Sequence, residues 1–134
     1  MSLRVRTLML NLVILAVAAH SVALGLALLC FPMWVLKLVG WDYGGEVFWP
    51  SQAGLFLILL GTAYAAALRW RPLTWLLVGS KGCAIVFLTA HVLWLGAPRL
   101  AGLLGIGDGL MGLVTAVLLI SVARAERTPP LPGS

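Results

Sequence analysis

Charge is what this chain has least of. Only 10% of its 134 residues are Asp, Glu, Lys or Arg, and only four are acidic. With 62% hydrophobic residues and a mean hydropathy of +1.08, a water-soluble domain of this size cannot hide its apolar surface, so the excess must face lipid. The net charge of +5 needs no nucleic acid to explain it, because no basic stripe with interleaved aromatics stands outside the apolar stretches. Two cysteines allow one disulfide at most. Cys30 ends the first apolar stretch and Cys83 lies midway through the third, about 15 Å apart in depth at 1.5 Å per residue, too far for a bridge. The absence of Cys-x-x-Cys removes the thiol chemistry of four-helix membrane oxidoreductases. No carboxylate lies in the first stretch, which argues against drug–proton exchange of the small multidrug transporter kind. The four-residue loop 69–72 is too short for the charged motif of glutathione-transferase-like membrane proteins. No complete catalytic or metal-binding motif occurs, which argues against an enzyme and requires no cofactor.

What the chain does have is apolar length. About 20 apolar residues cross the hydrocarbon core, and four such stretches fit, at 8–30, 51–68, 73–95 and 100–123. The breaks hold helix-interrupting residues: Pro32, Gly40, Asp42, Gly44, Gly45, Glu46 and Pro50 in the first, and tight turns at 69–72 and 96–99. Segment 32–39 is too short to cross and suits the membrane interface. The fold expected is therefore an all-α integral membrane protein, an antiparallel four-transmembrane-helix bundle with a short interfacial segment between helices 1 and 2. Residues 1–128 form its one domain, and 129–134 form a flexible, proline-rich tail.

Two independent signals support these boundaries. All six tryptophans fall near span ends, Trp34, Trp41, Trp49 and Trp94 on one side and Trp70 and Trp75 on the other, which makes an aromatic belt. Arg4, Arg6, Arg69, Arg71, Arg124 and Arg127 share one side, whereas Lys37, Arg99, Asp42 and Glu46 share the other, so both termini are expected in the cytoplasm. Arg4, Arg6 and the run 16–18 imitate a signal peptide, but hydrophobicity continues to Cys30, and a retained helix is expected.

The candidate functional residues are the polar groups inside these stretches, since ionisable side chains in hydrocarbon are costly unless paired, wetted or useful. They are His20, Lys81, His91 and Asp108, with Gln52 and Glu46 above them. Counted from the outer ends, His91, Asp108 and His20 lie about 6, 12 and 15 Å deep. An outward-facing polar pocket can form there, with His20, His91 and Asp108 as candidate metal ligands, although no local spacing motif joins them. His20 shares a stripe with Ala16, Ala23 and Ala27 and is expected to face the bundle interior. Lys81 has three readings: a pair with Asp108, snorkelling past Gly79 and Gly82 to the inner surface, or ligand and proton handling. Tyr64 reads as an interhelical hydrogen-bond donor. Gly102, Gly105, Gly109 and Gly112 form one stripe on the last span and Gly54 and Gly61 another on the second, both expected to pack helices closely.

The run 48–56, then Gly61-Thr62-Ala63-Tyr64, Gly79-Ser80-Lys81 and Gly107-Asp108-Gly109, resembles small bacterial four-helix membrane proteins of the DoxX-like families. The resemblance implies a bundle in the bacterial cytoplasmic (inner) membrane, sometimes a subunit of a redox complex near quinone, and supplies no catalytic residues. The expected function is that of a non-catalytic membrane subunit or binding bundle for an apolar small molecule of the lipid or quinone class. Its expected partners are membrane lipids and either a second copy or a larger membrane complex. The opposing class is a small transporter or membrane enzyme built on the His/Asp pocket.

Overall fold

The computed structural model describes residues 2–42 and 44–127, and the tail expected at 129–134 lies outside them. Five helices carry the chain: α1 (Leu3–Cys30), α2 (Pro32–Val39), α3 (Phe48–Ala66), α4 (Leu73–Trp94) and α5 (Arg99–Arg127). No strand occurs among the described residues. Helices α1 and α5 outrun the expected apolar spans at their arginine-bearing ends, where the Ser2 hydroxyl accepts from the Val5 amide and caps α1. Segment 32–39 forms the single short helix α2, stopped at Gly40. There φ is 79°, a left-handed conformation that glycine adopts without steric cost.

Helices α1, α4 and α5 are long and apolar enough to cross a bilayer. Helix α3 is not among them, because Pro50, Ser51 and Gln52 in its first turn dilute its hydropathy. Three candidate spans fit a multi-pass membrane protein, one fewer than the sequence led us to expect. The surface agrees with an apolar solvent. Leu12, Leu59, Val86, Leu103 and Val117 are each more than half exposed, a distribution that water would penalise.

Packing is organised in two antiparallel pairs, α1 on α3 and α4 on α5. Contacts between α1 and α5 join the pairs, while α3 and α4 touch much less. At the arginine-rich end the Arg6 guanidinium donates to the Ser121 carbonyl at 3.2 Å, fastening the start of α1 to the end of α5. The buried core is small and includes Leu10, Ile14, Tyr64 and Leu77.

Glycine sets the spacing within each pair. A Cβ on Gly25 would stand 2.6 Å from the Gly54 carbonyl oxygen, and one on Gly54 2.6 Å from that of Gly25, so the two backbones are in direct contact. Gly61 meets Val22 and the Ala18 backbone in the same way. On α5, Gly102, Gly105, Gly109 and Gly112 face Val92, Leu88, Ile85 and Lys81 of α4. The stripe thus packs internally, whereas Gly79, Gly82 and Gly107 border open space.

Replacing Gly54 by Ala should therefore cost about 1–3 kcal/mol or more, because a carbonyl oxygen rather than a flexible side chain blocks the methyl. Gly82→Ala should be neutral or stabilising by about 0.5–1 kcal/mol, since nothing obstructs it and alanine is the better helix former. Thermal unfolding in one detergent checks both, and equal loss at the two positions would contradict the backbone contact.

Candidate functional site

The ammonium of Lys81 on α4 and the carboxylate of Asp108 on α5 form a hydrogen-bonded ion pair. Their positions follow from helix geometry. The Lys81 Cβ lies 3.0 Å from where a Gly112 Cβ would stand, so Lys81 abuts α5 one turn from Asp108, about 6 Å along the axis. Its four-carbon stem covers that rise. The lysine side chain is 5% exposed and the aspartate 20%, so each charge is largely removed from water and depends on the other. Of the three readings of Lys81, pairing is the one observed. Snorkelling is overturned, because the ammonium is held at Asp108.

Beside the pair, the Tyr64 hydroxyl on α3 hydrogen-bonds the Ser80 hydroxyl on α4, and Ser80 donates at 2.9 Å to the Leu77 carbonyl. This polar link bridges two neighbouring helices that otherwise touch little. The Thr115 hydroxyl, fully buried, returns its proton to the Met111 carbonyl at 2.7 Å. Ser21 and Thr74 are also buried, and their hydroxyls find no partner among the described residues.

Among the described residues, His20 is not turned into the bundle toward Asp108 and His91 as the outward-facing His/Asp pocket requires. His20 is exposed, as are Ala16 and Ala23 on its stripe, whereas Leu10, Ile14, Val17, Ser21 and Gly25 face the bundle. The backbone contact at Gly25 sets this rotation, and His20 lies about 140° away from Gly25 at 100° per residue. The inward orientation expected from the alanines is therefore corrected. The His91 ring lies against Phe87 with centroids 3.9 Å apart, and its Nδ1 donates at 2.8 Å to the Phe87 carbonyl, which assigns the proton to that nitrogen. Gln52 is half-buried in the first turn of α3, and Glu46 is exposed in the preceding connection. Among the described residues no three His, Cys, Asp or Glu side chains gather as metal ligands. Cys30 and Cys83 are unbridged and exposed.

Two concavities lie along the α4–α5 seam. The larger, about 420 Å³, is walled by Val78, Gly82 and Ile85 of α4 and by Gly109, Leu113 and Ala116 of α5, all apolar. The smaller, about 290 Å³, is lined by Arg71, Pro72 and Trp75 beside Leu119, Ala123 and Glu126. Reading the sequence for charge alone missed both. Their signal is the spacing Arg71, Trp75, Val78, Gly82, Ile85, which repeats every three to four residues and puts a glycine gap on one face of α4.

The chain matches no protein-family model, no curated protein and no solved structure.

The pair makes a quantitative expectation. Removing one partner of a buried ion pair costs about 3–5 kcal/mol, because the other charge is left unpaired. Asp108→Asn and Lys81→Met should each destabilise by an amount of that order, and the double substitution by less than their sum. A thermodynamic cycle on the four variants in one detergent measures the coupling, and additive losses would show that the pair contributes nothing.

Proposed function

We propose that this protein is a four-span membrane bundle that binds an apolar small molecule of the lipid or quinone class in the lateral groove between α4 and α5, without catalysing a reaction on it. The observation that carries this reading is the 420 Å³ groove itself. It is lined by apolar side chains and glycine, it is open on its outer side, and it lies on helices apolar enough to cross a bilayer. A guest dissolved in the membrane reaches such a groove sideways. Binding there replaces loose lipid contact by fitted contact, with dispersion as the gain.

Support for a fourth span comes from α3. Its 19 residues rise about 28 Å, close to the hydrocarbon thickness of about 30 Å, and it packs along the membrane-length helix α1. Trp49 at its start and Trp70 just beyond its end are both exposed, as interfacial anchors are. The arginine asymmetry supports cytoplasmic termini, and the likeness to DoxX-like proteins favours a bacterial inner membrane. Against the transporter or enzyme alternative, the ionisable groups inside the bundle neutralise one another at Lys81 and Asp108, and His91 is engaged with its own helix.

Gly82→Leu fills the groove from a position where an added Cβ meets nothing within 4 Å. It should leave the unfolding temperature at or above that of the parent while weakening binding of a short-chain ubiquinone in phosphatidylcholine nanodiscs by tenfold or more, about 1.4 kcal/mol. Unchanged binding would remove the groove as the site. A reporter fused at Gly44 should read as external and one in the 69–72 turn as cytoplasmic, and the reverse pattern would invert the orientation while leaving the groove intact.

A further inference from the structure

The two concavities follow one another along the α4–α5 seam, one helical turn apart between Trp75 and Val78 and between Ala116 and Leu119, and no residue lines both; end to end they make a track. On α4 the walls run Arg71, Trp75, Val78, Gly82, Ile85, and on α5 they run back through Glu126, Ala123, Leu119, Ala116, Leu113 and Gly109. From Trp75 to Ile85 the rise is about 15 Å, the depth of one leaflet of a bilayer whose hydrocarbon core is about 30 Å thick. The end near the bilayer centre is wholly apolar. The other end, among the arginines, carries one cation and one anion.

We propose that this track holds a single phospholipid whose headgroup contains both a phosphate and a primary ammonium. The phosphate sits on Arg71, the ammonium on Glu126, and one acyl chain lies in the apolar groove. The proposal rests on the groove reading above and adds the identity of the guest. Three observations carry it. One terminal nitrogen of Arg71, Nη1, is buried without a hydrogen-bond partner among the described residues, and a buried donor left unpaired is costly enough that such groups are nearly always satisfied. Arg71 lines the pocket and is partly exposed, so a turn of its guanidinium brings that nitrogen to a phosphate oxygen, with the charge assistance and planar fit that favour guanidinium for phosphate. Next, Glu126 lines the same pocket, yet no ion pair joins it to Arg71. A purely anionic headgroup would place its charge beside that carboxylate, whereas an ammonium a few bonds from the phosphate complements it. Lastly, the chain direction is right: charge lies at the interfacial end with the exposed Trp75, and apolar surface lies toward the centre.

Native mass spectrometry of the purified full chain in detergent, titrated with phosphatidylethanolamine, phosphatidylglycerol, phosphatidylcholine or free phosphoethanolamine, tests the assignment. One phosphatidylethanolamine per chain should be retained, about tenfold more tightly than phosphatidylglycerol. Arg71→Gln should weaken both lipids by about tenfold. Glu126→Gln should abolish only the preference for phosphatidylethanolamine, and because this carboxylate is exposed, that variant carries the test if Arg71→Gln does not fold. Ala123→Leu, which narrows the headgroup pocket and leaves both charges in place, should reduce retention as well. Equal retention of all three lipids, or no effect of Glu126→Gln, would overturn the assignment of a primary ammonium to Glu126. Displacement of the lipid by free phosphoethanolamine at equal concentration would overturn the lipid source in favour of a water-soluble phosphate ester. If Gly82→Leu abolishes lipid retention while Arg71→Gln leaves it unchanged, the headgroup assignment falls and the groove stands. If Gly82→Leu has no effect on either lipid or quinone, the groove falls with it.

Discussion

The ion pair between Lys81 and Asp108 fixes how α4 and α5 face each other, and the rest of the outer surface follows from it. An ammonium this far inside an apolar helix has one low-energy arrangement, in contact with its counter-charge and away from lipid. That requirement turns the Thr74–Leu77–Lys81 side of α4 toward the bundle, where all three are buried. The neighbouring side, about a quarter turn round the helix, from Trp75 through Val78 and Gly82 to Ile85, is thereby left along the seam with α5. Glycines on α5 let the helices come close enough for the short reach between Gly112 and Asp108 to be bridged by one lysine stem. The groove and the charge pair are two faces of one helix rotation.

The α1–α3 pair works by a different principle. Its two backbones touch at Gly25 and Gly54, and dispersion at short range replaces the hydrophobic effect that lipid cannot supply. Side chains that a soluble protein would bury can then point outward at no cost. Few residues are fully buried, and those that are include hydroxyl-bearing Ser21, Thr74 and Thr115.

Much of this was legible in the residues, and the exceptions have physical causes. Prolines and glycines marked the helix ends because their backbone restrictions act locally. The glycine stripes at Gly54, Gly61 and Gly102 to Gly112 announced close packing, although whether the α5 stripe met its own chain or a copy needed three dimensions; it meets α4. The pairing of Lys81 with Asp108 was one of three readings, and only the register of α4 against α5 decides between it and snorkelling. His20 was misplaced because an alanine stripe is equally suited to a helix interface and to lipid, whereas the unnoticed Gly25 carried the decisive contact. Helix α3 was taken as a span on hydropathy that Pro50, Ser51 and Gln52 lower. Arg71 was absorbed into the orientation signal, and its burial beside Glu126 depends on two helix ends that are distant in sequence.

The ion pair also bears on biogenesis. Lys81 and Asp108 are separated by 27 residues, so during synthesis α4 emerges with an ammonium that has no counter-charge until α5 follows through the turn at 96–99. A solitary α4 is a poor candidate for release into lipid, whereas in α4 and α5 together the ammonium within the apolar stretch is paired. The α4–α5 hairpin, rather than the single helix, is thus the smallest piece of the chain in which that ammonium meets its counter-charge.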